Sequence, residues 1–195
     1  MPITTIDPKT ALVVIDLQNA LKAFPGTPYS IADVIARNVE LTDAFRKRDL
    51  PVVLVRVSIR PDGSDWVPGR TDEGPRPAGQ MPAGADEIID ELAGHPEDIV
   101  VTKRNWGAFH GTDLDIQLRR RGITQVVITG VATTYGVEST ARAAHEHGYH
   151  VTIPTDAITD RAEDSHAHAL THVFPRLAET GTTADLLNAL TKTHP

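Results

Sequence analysis

Cysteine is missing from all 195 residues. That excludes disulfides, thiolate metal sites and thiol nucleophiles outright. No apolar run approaches the roughly 20 residues of a membrane-crossing helix, so no membrane partner is expected. The N-terminus, "MPITTIDPKT", lacks the basic start and apolar stretch of a secretory signal, and a cytoplasmic location is expected. Basic tracts are short. "RKR" at Arg46–Arg48 and "RRR" at Arg119–Arg121 sit near apparent helix C-termini, where they complement the helix dipole. A formal net charge of −7 argues against nucleic-acid binding, which needs a basic surface to neutralise phosphates. There is no P-loop and no G-x-G-x-x-G, so no nucleotide cofactor is expected. There is no H-E-x-x-H either. His168 and His172 share a helix face, and His150, His166 or Asp164 could complete a zinc set. Surface and helix-end histidines are the simpler reading, so no metal is expected.

What is present is ordinary globular material, 40% hydrophobic and 23% charged, with no repeat and no low-complexity tract. A single domain over residues 1–195 follows from the length. Short Val/Ile-rich runs alternate with helical patterns. "ALVVID" (Ala11–Asp16), "PVVLVRVS" (Pro51–Ser58), "DIVVT" (Asp98–Thr102), "QVVITG" (Gln125–Gly130) and "HVTIPT" (His150–Thr155) have the length of strands buried on both faces. "SIADVIARNVELTDAFRKRD" opens on Ser30 as N-cap. "TDLDIQLRRRG" has Thr112 as a possible cap and Gly122 past its end. "EDSHAHALTHVFPRL" is a helix interrupted near Pro175, and "TADLLNAL" makes the last helix. Repeated strand–helix units imply a parallel sheet covered on both faces, with ligands beyond the C-terminal strand ends. One segment, Ile59 to Ala85, is rich in Pro and Gly. With Trp66 it reads as a lid, a subunit contact or a disordered stretch.

Three positions fall at the ligand-binding end. Asp16 closes the first strand; it is either a turn aspartate or a partly desolvated carboxyl with a raised pKa. Lys103 follows the third strand and would lower the pKa of a neighbouring carboxyl, opposing desolvation. The turn "GVATTYG", Gly130–Gly136, follows the fourth strand and opens a helix, where backbone N–H groups could hold an anion. A threonine nucleophile in this turn would need an adjacent base, and none is near in sequence.

These pieces resemble the isochorismatase-like hydrolase superfamily over nearly the whole chain. "ALVVIDLQN" carries the likeness, as does the long stretch from "VVTKRNWGAFHGTDLDIQLRRRG" through "VVITGVATTYGVESTARAAHEHGYHVTIPTDA". The resemblance implies an α/β fold, a three-layer αβα sandwich around a six-stranded parallel sheet, and a homodimer or homotetramer acting on a small-molecule substrate. It implies a non-proline cis peptide at Val131–Ala132. It maps the family's catalytic Asp, Lys and Cys onto Asp16, Lys103 and Gly136. Gln18, Trp106, Phe109, Ala132, Thr133, Thr134 and Tyr135 become the candidate substrate-binding residues.

The glycine is the departure. Amidase members attack a carbonyl with the cysteine thiolate, which Gly136 cannot do. Nicotinamidases also carry a metal-binding Asp-x-His that "SIRPDGSDWVPGRTDEG" lacks. A second branch, the true isochorismatases, often has glycine there and cleaves a vinyl ether by protonation. The resemblance thus implies acid-catalysed hydrolysis of an isochorismate-like ether, with Asp16 as acid and room for water or ring at Gly136. Ala132 and Thr134 stand where that branch commonly has Tyr and His. Two alternatives stay open: water attack on an amide or imide with Asp16 as base, and a non-catalytic member that binds a small ligand.

Overall fold

Each β-branched run forms a strand of one parallel sheet. A computed structural model describes residues 3–65, 69–72 and 82–194. Five strands stand at the expected places: β1 (Thr10–Ile15), β2 (Val52–Val57), β3 (Ile99–Lys103), β4 (Gln125–Val131) and β5 (His150–Pro154). Two more, β6 (Ile158–Thr159) and β7 (Glu179–Gly181), are too short and polar to carry an apolar signal. The sheet therefore has seven strands among the described residues, in the order β3-β2-β1-β4-β5-β7 with β6 on β4, all parallel.

Alternation along β1 explains the layers. Ala11, Val13 and Ile15 face one core, with α2 (Leu114–Arg120) and α3 (Glu138–Glu146) packed through Leu114, Leu118, Ala141 and Ala144. Leu12 and Val14 face the other core, against Val34, Leu41 and Phe45 of α1 (Ile31–Arg46) and Leu186 and Leu190 of α5 (Thr183–Thr193). Both faces of the central strands are buried, so their sequences read as continuous apolar runs. Between β5 and α5 lies α4 (Glu163–His168). Its coil widens over Ala169–Val173 and tightens over Phe174–Arg176, where the interruption at Pro175 was expected.

Caps follow the sequence. The Ser30 hydroxyl accepts from Asp33 N at 3.1 Å, and Thr182 with Asp185 closes a reciprocal capping box on α5. The head of α2 differs from expectation: Asp113 is its N-cap and makes no side-chain capping bond, while Thr112 Oγ1, one residue earlier, accepts from Leu114 N at 3.2 Å. The expectation attached to Trp66 lies outside the described residues.

Chain order reverses between β1 and β4, which are neighbours in the sheet. This is the switch point where an open parallel sheet leaves a crevice. Gly130, at φ +100, lets the two strands close tightly there, since a Cβ would lie 2.1 Å from Ile15 O. The peptide between Val131 and Ala132 is cis, as the resemblance implied.

Candidate active site

Asp16 sits where β1 runs out. Its N–H still donates to Val55 O at 2.9 Å, and its backbone then turns into the left-handed region at φ +54. The residue is 7% exposed. Lys103 ends β3, two strands away, and its stem crosses the end of β2. The Nζ lies 2.7 Å from Asp16 Oδ2 and donates to Trp106 O at 2.7 Å. Asp16 Oδ1 is buried with no hydrogen-bond partner among the described residues. The contest left open by sequence is decided by this burial. Desolvation pushes the Asp16 carboxyl from its ordinary 3.8 up to about 6, despite the opposing Lys103 charge and hydrogen bond.

Gly136 faces this pair. A Cβ there would lie 3.4 Å from Asp16 Oδ2, 3.3 Å from Val131 O and 2.8 Å from Ile15 Cγ2. The position is bare but crowded. It adjoins the acid, and the methyl of a stiff, fully buried isoleucine covers the flank of its Cα.

The turn is one wide helical turn, Thr133–Val137, running into α3. Its N–H groups are largely engaged. Tyr135 N and Val137 N donate to Ala132 O at 3.1 and 3.2 Å, and Thr134 N donates to Asp160 Oδ2 at 2.7 Å. Thr134 Oγ1 donates to the same carboxylate oxygen at 2.8 Å. Thr133 Oγ1 lies 2.9 Å from Nδ1 of buried His166, whose pKa burial holds below the usual imidazole range. Thr133 and His166 have the spacing of a nucleophile and its base, yet the threonine is fully buried. Both hydroxyls therefore anchor the turn.

The remaining candidates divide. Trp106 and Tyr135 stand together at the rim, 52% and 41% exposed, with ring centroids 5.0 Å apart in a T-shape. Ala132 forms the inner bend. The Gln18 carboxamide is engaged with the backbone of Val57 and Ala85. Phe109 is not brought to the site. Its ring stacks on His147 at 5.1 Å, and His147 caps the far end of α3 from Gly136. The sequence reading missed Asp160 and the bond between His166 and Thr133, because residues 26 and 33 positions away supply them. No group of three metal-ligating side chains occurs among the described residues.

Comparison with known proteins gives the family. Residues 10–185 match the isochorismatase domain. The chain is 41% identical to the uncharacterized isochorismatase family protein YecD of Escherichia coli O157:H7, over 93% of this chain and 96% of that protein. It is 32% identical to the ureidoacrylate amidohydrolase RutB of Pseudomonas syringae pv. syringae, over 76% of this chain and 70% of that one. An isochorismatase family structure from Burkholderia thailandensis superimposes with a TM-score of 0.92 at 46% identity, covering 96% of this chain and 98% of that chain. Its strand-end acid, its lysine and its wide turn thus stand in a fold shared with known hydrolases, and the chain belongs to the isochorismatase family.

Proposed function

We propose that this isochorismatase-family hydrolase cleaves a vinyl ether in a small anionic metabolite of the isochorismate type, with Asp16 as general acid. One observation carries the reading. A buried carboxyl is held near neutrality, one oxygen tied to Lys103 and the other unengaged, in a chain that has no thiol. At pH 7 roughly a tenth of such a group is protonated, a useful fraction for proton donation.

Asp16 gives its proton to the terminal methylene carbon of the enolpyruvyl group. The ether oxygen stabilises the resulting oxocarbenium ion. Water adds to the ether-bearing carbon, which carries the positive charge, and returns a proton to the Asp16 carboxylate. The hemiketal collapses to pyruvate and the ring alcohol, so substrate and water account for every atom. Lys103 uses two of its three N–H donors on Asp16 and Trp106 O, leaving one for a substrate carboxylate. The Trp106–Tyr135 rim offers apolar faces to a ring. Gly136 puts bare backbone beside the acid, but Ile15 Cγ2 would stand 2.8 Å from a Cβ there, so room for water or a ring has to come from elsewhere in the crevice rather than from this position.

The test is pyruvate release. Purified protein is incubated with isochorismate, and pyruvate is read through lactate dehydrogenase. Pyruvate matching the substrate consumed, and absent with Asp16→Ala, is the expected result; none above background rejects the substrate class.

The likeness to RutB favours one second reading, water attack on an amide with Asp16 as base. The two have opposite pH limbs. An acid mechanism loses rate as pH rises through about 6, and a base mechanism gains it.

A further inference from the structure

The turn that carries Asp16 is held by a side chain that the proposed chemistry leaves unused. β1 ends at Ile15, whose register partner on β2 is Val55. A strand that continued would next satisfy the main-chain groups of Val57. Instead the backbone swings away at Asp16, at a φ of +54 that strains a non-glycine residue. Something has to supply the missing partners and hold the strained turn.

The Gln18 carboxamide does both. Its Oε1 accepts from Val57 N at 2.9 Å, and its Nε2 donates to Val57 O at 3.0 Å. Nε2 also approaches Ala85 O at 3.4 Å. The main-chain N–H of Gln18 closes the turn onto Asp16 O at 2.9 Å. The residue is 1% exposed, so none of these bonds competes with bulk water. Side-chain chemistry is narrow here. Glutamate lacks the donor, asparagine is one methylene shorter, and only a carboxamide presents donor and acceptor in one plane as a peptide does.

We propose that Gln18 is the positioning residue of the site: its carboxamide stands in for strand backbone opposite Val57 and thereby locks the turn that aims the Asp16 carboxyl across the strand ends. The inference rests on Asp16 being the reactive acid, and it removes Gln18 from the set of substrate contacts.

The experiment reads the carboxyl directly. Aspartate is labelled with 13C at Cγ, and Asp16 is titrated by NMR in wild type, Gln18→Met and Gln18→Ala. Methionine keeps the bulk and deletes both bonds. With the clamp gone, water reaches the carboxyl, and its midpoint falls by about one pH unit or more. A folded variant with an unchanged Asp16 midpoint overturns the proposal, even if its melting temperature drops, because that outcome marks a packing role alone. If neither variant folds, the wild-type titration decides. The Gln18 side-chain amide and the Val57 N–H must shift with the Asp16 midpoint, and flat resonances overturn the clamp. The titration involves no substrate, so a failed pyruvate assay leaves its outcome readable.

Discussion

Among the described residues, Asp98 and Asp16 each hold a cation on a buried carboxylate, and they hold it differently. Asp98 is chelated by Arg46: Nη2 lies 2.6 Å from Oδ2 and Nε 3.3 Å from Oδ1, while His95 Nδ1 stands 3.5 Å from Oδ1. The same Arg46 Nη2 donates to Leu92 O at 2.7 Å. Both oxygens of that carboxylate are used. Asp16 has Lys103 on one oxygen and nothing among the described residues on the other. The first pair ties α1 to the segment before β3. The second leaves one buried oxygen without a partner among the described residues. Complete satisfaction fixes structure; on the proposed reading, incomplete satisfaction keeps a proton available for chemistry.

The largest test sets the two aspartates against each other. Asp16→Asn keeps the shape and removes the acid, and should lower turnover by roughly 10²–10⁴-fold. Asp98→Asn should leave turnover per folded molecule near wild type while destabilising the chain by about 3–5 kcal/mol, the usual cost of breaking a buried pair. Steady-state rates and thermal denaturation on both variants check this. A folded Asp98→Asn protein without activity breaks the contrast.

A medium-sized effect concerns pH. Burial raises the Asp16 pKa in the folded chain, so the folded state keeps a proton that the unfolded chain releases. That contribution to stability is complete below 3.8 and is lost as pH rises through about 6. Relative to Asp16→Asn, the wild type should lose about 3 kcal/mol of stability between pH 3.8 and neutrality, from the difference of the two pKa values. Denaturant melts across that range measure it, and parallel curves for the two proteins refute it.

The smallest effect concerns the bare position beside the acid. Gly136→Ala drives a methyl to 2.8 Å from Ile15 Cγ2 and should cost about 1–3 kcal/mol by overpacking. Combined with Ile15→Ala, the loss should be smaller than the sum of the two single losses. Additive losses in such a cycle mean that the isoleucine does not govern what position 136 can hold.

Strand-end position and residue type made Asp16, Lys103 and the Gly130–Gly136 turn visible in sequence. The five long strands were visible for the same reason, since β-branched runs of that length have few other homes. β6 and β7 were not, because a two- or three-residue pairing carries no apolar pattern. The pKa of Asp16 was not legible either, since it depends on how far burial of the carboxyl outweighs the Lys103 charge beside it. Residue type alone misassigned Phe109. It is an aromatic six residues after the lysine, yet it packs against Tyr149 in the core, with exposed His147 stacked over it. Thr133 and Thr134 looked available only while Asp160 and His166, a strand and a helix further along, were out of view.

Lys103 lies on the outermost strand, and the group it neutralises lies on a central one. The pair therefore works as a gauge of sheet curl. Peeling the rim by a single residue at its carboxyl end carries the ammonium off first, and the acid stays behind with no counter-ion. On the proposed reading of Asp16, integrity of the outer margin then becomes a condition for proton delivery at the centre.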